Sequence, residues 1–267
     1  MSSVIVFMPF HEKKTIRAFS KLSFIEAVNL NSLTIEGRPI DSSLAESRFF
    51  VSPPPIPSMT DWVGLCSPRW EKKWPRAPRV ADLEDLVMQM GDSLGYAPGL
   101  QNLVRDEAEV LYPKLSRFHP GIDEPLTKVV ENFGLDLPLE TKAPWANNFI
   151  VHRDLYSELL VFWREVYQWF GAQSGHQFSF GFECWSCGWR SNERIGRYGK
   201  ERLAAFFYER VTMLFFAVRK IDWLEVLPRP KPQSYAQAIT KPVKRHIRLL
   251  KKRNGKCPTC RNATLPG

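Results

Sequence analysis

Two Cys-x-x-Cys pairs, Cys184-Trp-Ser-Cys187 and Cys257-Pro-Thr-Cys260, constrain this chain more than any other feature, because they ask two regions far apart in sequence to meet. Two intervening residues let both sulfurs of a pair face one ion. Two such knuckles complete a tetrahedral S4 site of the kind that holds structural zinc. Gly188 and Gly255 stand where turns bring backbone amides towards the thiolates. Residues 188–256 separate the pairs, a longer excursion than a compact zinc ribbon has, so the metal would close a long loop. Four thiolates leave no position for water or substrate, and the expected role is structural. A redox dithiol is the rival reading; neither pair stands at a helix start after a strand, as a thioredoxin-like motif would. The remaining cysteine, Cys66, lies in an apolar context and reads as a small buried hydrophobe.

Cysteines kept reduced imply a reducing compartment. The start, MSSVIVFMPFHEKK, has no basic segment ahead of its short apolar run, unlike a secretory signal. The longest apolar stretches, such as residues 211–218, fall short of the roughly 20 residues of a membrane span. The expectation is a cytoplasmic protein. Nine Trp and 18 Phe supply a substantial core and argue against global disorder.

The formal charge of +9 is local. Residues 226–267 hold eleven of the 37 Lys and Arg and no acid, so the rest of the chain, with 28 Asp and Glu, is close to neutral. That distribution points to one local anionic partner and away from a broad nucleic-acid surface. Residues 241–253 (KPVKRHIRLLKKR) place Val243, Ile247 and Leu250 on one helical face with bases around the rest. Such a helix can lie on an anionic membrane surface, contact nucleic-acid phosphates, or pack its apolar stripe on the body.

Along the chain, residues 3–9 form a continuous apolar, β-branched run that predicts a buried strand. Residues 19–29 (FSKLSFIEAVN) have helix-like spacing, and residues 48–51 (RFFV), ahead of the SPPPIP cluster, predict a second strand. A third is expected at 61–65 (DWVGL), and a last short one at 223–227. Apolar spacing predicts helices over 81–90, 126–133, 155–170 and 202–218. PRPKP at 228–232 reads as a linker. Alternating strands and helices favour an α/β body. We divide the chain into an α/β domain at 1–182 and a helical region at 183–267 carrying the knuckles and basic tail.

Three segments carry a family resemblance: LAESRFF with DWVGLCSPRWEKKW; FHPGIDEPLTKVVENFGLDL with WANNFIVHRDLYSELLVFWREVY; and KERLAAFFYERVTMLFFAV. In order and wording, over roughly residues 44–220, they resemble uncharacterised glycosyltransferase-like proteins of bacterial polysaccharide and surface-glycan clusters. The shared pattern is a strand ending in an "R-x-x-x-K" turn, an "HPG" turn, an aromatic–Asn strand before a helix with an aromatic face, and a late "ER" helix. The paired cysteines and basic tail lie outside it. No Asp-x-Asp occurs in the chain; the nearest approach, Asp82-Leu83-Glu84, sits inside a helical pattern, and Asp136 stands alone.

The resemblance implies a GT-A-like, Rossmann-type body that positions a nucleotide sugar against a glycan or lipid-linked acceptor, with Mg or Mn accompanying the donor in metal-dependent relatives. Such an enzyme neutralises the leaving diphosphate, and uses a carboxylate as base when the reaction inverts. Arg69, Lys72 and Lys73 are the candidates for the diphosphate. Asp123 and Glu124, after His119-Pro120-Gly121, are the catalytic carboxylate candidates, and His119, Asn147 and Asn148 the substrate-binding ones. Blander readings stand beside these: a solvated basic turn, acids favoured at a helix N-terminus, a hydrogen-bonded structural histidine, and amides that only satisfy backbone groups. Glu209-Arg210 reads as an ion pair, and Phe162, Trp163, Trp169 and Phe170 as core. A lipid-linked acceptor would make the tail's membrane contact useful, placing the protein at the membrane periphery. A zinc-containing nucleic-acid-binding protein and a catalytically silent interaction subunit are the competing functions.

Overall fold

The computed structural model describes residues 3–40, 42–91, 93–104, 123–137, 140–144, 147–173 and 203–226. Strand β1 (Val4–Phe10) is followed by β2 (Ile25–Asn29), the small hairpin β3 (Thr34–Ile35) and β4 (Arg38–Pro39), a 3-10 turn over Ser42–Ser47, helix α1 (Arg48–Val51) and strand β5 (Trp62–Leu65). Then come α2 (Trp70–Lys73), α3 (Leu83–Val87), β6 (Gly95–Tyr96), β7 (Leu100–Val104), α4 (Asp123–Asn132), β8 (Glu140–Pro144), β9 (Phe149–His152), α5 (Arg153–Gln173) and α6 (Leu203–Arg219).

The central sheet runs β2-β1-β5-β9-β6. β1 pairs in parallel with β2 and β5, and β9 runs antiparallel between β5 and β6. β7 and β8 form a separate antiparallel pair. Period-two alternation along β1, β5 and β9 sends successive side chains to opposite faces. Phe7, Val63, Leu65, Phe149 and Val151 pack on one side with residues of α1, α5 and α6. Val6, Met8 and Ile150 pack on the other with Trp70, Leu83, Leu86 and Val87. A sheet covered on both faces needs continuous apolar strands, which is why residues 3–9 read so plainly as one. Gly64 is where the sheet is tightest: a Cβ there would lie 2.9 Å from Ile150 Cγ1 and 3.2 Å from the Phe149 carbonyl oxygen.

The structure is mixed α/β with a parallel-containing central sheet, as the alternation of elements predicted. It corrects the local reading at three places. Residues 25–29 are β2, because edge pairing with β1 overrides the helix-like spacing. Arg48–Val51 is one helical turn and not a strand. That turn lets adjacent Phe49 and Phe50 both enter the core, against Phe7 at 5.3 Å and Trp163 at 5.4 Å between ring centroids. In the described part of the expected strand, 223–226, only a single bridge, Gly95 to Trp223, forms. The expected aromatic–Asn strand and long aromatic helix are β9 and α5. Trp163 and Phe170 are buried core residues, with Phe162 and Trp169 packed beside them. α6 packs against α5, α4, β8 and the Ser42–Ser47 turn. Among the described residues no helix is long and apolar enough to cross a membrane.

Candidate functional site

The chain leaves the carboxyl end of β1 towards β2 and the carboxyl end of β5 towards β6, on the opposite side of the sheet. Connections that diverge from two adjacent parallel strands leave a crevice at their carboxyl ends, where open α/β sheets bind ligands. Because β9 is antiparallel, Asn147 and Asn148, which precede it, come to this same edge.

On the β5 side, the Cys66 amide donates to the Phe7 carbonyl at 3.0 Å and carries the pairing one residue past the strand. The chain then turns around Trp70, whose ring is fully buried and whose Nε1 donates to the Pro78 carbonyl at 2.9 Å. The Trp70 amide donates to the Ser67 carbonyl at 2.8 Å, and the Lys73 amide to the Arg69 carbonyl at 2.8 Å. With the turn anchored from inside by the indole, Arg69, Lys72 and Lys73 are left exposed together at the head of the crevice. Ser67, itself buried, gives its amide to Asn148 Oδ1 at 2.8 Å. Asn147 and Asn148 are 2% and 0% exposed. The Asn148 Nδ2 and both polar atoms of the Asn147 amide meet no partner among the described residues. Buried amides left over in this way are costly unless something else satisfies them.

On the β1–β2 side, Arg48 is 5% exposed. Its Nη2 donates to His11 Nδ1 at 2.9 Å and reaches Asn31 Oδ1 at 3.4 Å, while its Nε donates to the Ala45 carbonyl at 3.2 Å. A guanidinium has only donors, so His11 accepts through Nδ1. Ala45 holds φ 47° and ψ −123°, a conformation that favours glycine, and this strained residue presents the carbonyl that orients Arg48. Arg48 thus ties the loops after β1 and β2 to the turn before α1.

Burial and nearby charge also shift Cys66 and Glu209. Burial pushes the Cys66 thiol well above its ordinary range; Glu71 adds to this, Lys73 opposes it and Glu46 adds again. Burial also raises the Glu209 carboxyl, with Arg210 lowering it, Glu46 raising it and Lys73 lowering it. Glu46 and Lys73 therefore act on both Cys66, at the end of β5, and Glu209, on α6. Arg210 is 1% exposed, with its Nη1 3.8 Å from Glu209 Oε2 and 3.2 Å from Met213 Sδ. Glu209 lies deep among protein atoms but keeps 19% of its side-chain surface in solvent.

The structure thus brings Arg69, Lys72, Lys73, Asn147 and Asn148 to one edge. The backbone places Asp123 and Glu124 in the first turn of α4. His119, the four paired cysteines and the basic segment 241–253 lie outside the described residues. Cys66 is buried, as its apolar context predicted, and Glu209–Arg210 is the ion pair expected. Sequence reading missed His11, Asn31, Arg48, Glu46 and Ser67 as members of the site; only an apolar strand ending in a polar residue signalled the first. Among the described residues no three His, Cys, Asp or Glu side chains converge to hold a metal. Beyond β5 the chain offers a thiol, a hydroxyl, three bases and one carboxylate, Glu71, whose Oε1 accepts from the Val80 amide at 3.3 Å.

The fold and this edge define a mixed α/β protein with a polar, partly basic crevice at a strand switch point. No protein-family model and no curated protein matches the chain. Among solved structures, the apo structure of WbbM, a bifunctional glycosyltransferase, is similar at 12% identity and a TM-score of 0.45. The match covers 85% of this chain and 45% of that one, so this chain spans less than half of its neighbour's length. A likeness at that level leaves the function to be argued from the residues themselves.

Proposed function

We propose that this chain is a glycosyltransferase that binds a nucleotide-sugar donor at the carboxyl edge of β1 and β5 and transfers the sugar to a glycan or lipid-linked acceptor in surface-glycan assembly. The observation that carries the reading is the Asn148–Ser67 bond at the switch point. It fixes the buried amide of Asn148, which with the adjacent buried amide of Asn147 has hydrogen-bonding capacity left over, beside an exposed cluster of three bases. Amides that both donate and accept suit sugar hydroxyls, and bases suit a diphosphate. In this reading Arg69, Lys72 and Lys73 neutralise the leaving diphosphate. Asn147 and Asn148 orient the sugar, with His119 as a further contact. Asp123 and Glu124, at the head of α4, are the carboxylates that the family resemblance offers as base.

Two features stand outside the transfer step. Four thiolates from Cys184, Cys187, Cys257 and Cys260 suit one structural zinc that fixes where the tail leaves the body. The basic segment 241–253 would then be held where it can meet anionic lipid carrying the acceptor.

Thermal shift of the full chain against nucleoside diphosphates and sugar nucleotides tests the proposal, with stabilisation by at least one as the expected result. A salt-dependent shift of RNA or DNA in a gel, with no response to nucleotides, would replace it with the nucleic-acid reading. Binding of neither leaves a catalytically silent interaction subunit.

A further inference from the structure

We propose that the basic segment 241–253 of this chain docks along the groove between α5 and α6, with its apolar stripe against Val161 and its bases meeting the acids of α5. The inference goes beyond the transfer reading and does not depend on it.

α5 and α6 run antiparallel. Glu158 meets Arg219 at 2.7 Å, Phe162 faces Phe215 at 5.7 Å between ring centroids, and Phe170 stacks on Phe207 at 4.6 Å. Towards the Arg219 end, the two helices and Leu135, just after α4, enclose a groove of about 560 Å³. Phe162, Phe215 and Val218 supply apolar lining, and Val161, also in the lining, is 54% exposed. An apolar wall rimmed by charge marks an interaction surface.

The charge pattern says what covers it. Asp154, Glu158, Val161 and Glu165 follow at i, i+4, i+7 and i+11, so they share one face of α5. Arg153 and Arg164 fall outside that spacing, and the Arg153 Nη1 donates to the Ser58 carbonyl at 2.6 Å. Arg219, the base among the lining residues, is turned to Glu158 and lies over the Phe215 ring at 5.5 Å. The α5 face is therefore acidic around an apolar centre.

The tail carries the complement. Lys244, Ile247 and Lys251 repeat the i, i+3, i+7 spacing of Glu158, Val161 and Glu165, with bases in place of acids. Val243 and Leu250 extend the apolar stripe by a turn on either side of Ile247. A helix with that repeat sets its apolar seam in the groove and a base beside each acid, the arrangement that fixes partner and register when helices pair. Arg245 and Lys252 fall on its opposite face, where a docked tail still offers charge to anionic lipid.

The tether reaches. The described chain ends at residue 226, beyond Arg219 in the groove lining, and residues 227–240 separate it from the segment. At about 3.3 Å per residue that linker spans up to roughly 46 Å, more than the roughly 31 Å length of α5. Docking within one chain proceeds at an effective concentration in about the millimolar range, which favours the tail over a second copy or a separate protein.

The test is photo-cross-linking in the full chain, with p-benzoylphenylalanine in place of Val161 and the adduct mapped by mass spectrometry. The expected adduct lies within residues 241–253 of the same chain and does not depend on protein concentration. Ile247→Asp should abolish it. Glu165→Lys should weaken it severalfold, with Lys251→Glu in the same chain restoring it. Glu165 is exposed, so its substitution leaves the melt nearly unchanged. Trypsin cleavage after Arg248 should be severalfold faster in the Ile247→Asp and Glu165→Lys chains than in wild type. An adduct elsewhere in the chain, a cross-linked dimer, or no adduct overturns the proposal. So does a tail adduct that either Ile247→Asp or Glu165→Lys leaves unchanged, which reports the tether alone. If no adduct forms, and wild type but not Ile247→Asp sediments with phosphatidylcholine–phosphatidylserine vesicles, the stripe belongs to a lipid surface and the groove reading falls.

Discussion

Asn148 holds Ser67 across two strands: its Oδ1 accepts the Ser67 amide at 2.8 Å, just beyond the Leu65–Phe149 register pair. Both residues are buried, so removing the acceptor strands a buried N–H. Asn148→Ala should cost about 1–3 kcal/mol, read from the urea midpoint at unchanged slope. It should also abolish stabilisation by the bound sugar nucleotide.

The basic turn separates binding from stability. Arg69, Lys72 and Lys73 are exposed, and surface substitutions of this kind change stability by only about 0.5 kcal/mol. Replacing each with Ala should weaken nucleoside diphosphate binding severalfold and flatten its salt dependence, leaving the melting temperature nearly unchanged. Titration calorimetry at two salt concentrations measures both effects.

Gly64 has no room for a side chain, with Ile150 Cγ1, Val6 Cγ2 and the Phe149 carbonyl all within 3.2 Å of a Cβ placed there. Gly64→Ala should destabilise by about 1–3 kcal/mol through overpacking of the central strand. A denaturant midpoint equal to wild type would mean that β5 and β9 sit further apart than described.

Glu209 makes stability depend on pH in a defined direction. Its carboxyl is raised in the folded protein, first by burial, so the native state holds its proton to higher pH than the unfolded chain. Its contribution is complete below the unfolded value of about 4.3 and declines as pH rises through the folded one. E209Q has no such proton to lose. Between pH 4 and 8, wild type should lose stability relative to E209Q, as paired urea titrations across that range would reveal.

For the paired cysteines the expected outcome is one zinc per chain, by elemental analysis of protein purified without chelator. Cys257→Ser should lose that zinc. Zinc retained by both Cys257→Ser and Cys184→Ser would refute a shared S4 site.

Some of this protein was legible locally. The apolar run of β1 was readable because a strand buried on both faces must be apolar at every position. α5 and α6 were readable because their apolar spacing matches a helical turn. The basic turn after β5 and the Asn pair before β9 were likewise visible as short polar clusters at strand ends. The Arg48–Val51 turn was not: its β-branched and aromatic composition favours a strand, and only the demand of Phe7 and Trp163 for both adjacent phenylalanines turned it into a helix.

By itself the sequence determined which residue types this protein can place at a site, and where its strongest elements begin, because periodicity and propensity act between near neighbours. Only the tertiary structure decided that Arg48 meets His11 and Asn31, and that Asn148 meets Ser67. Those meetings depend on strand order and on which faces are buried against one another. Both are set by the free energy of the whole packed sheet, which no local pattern encodes.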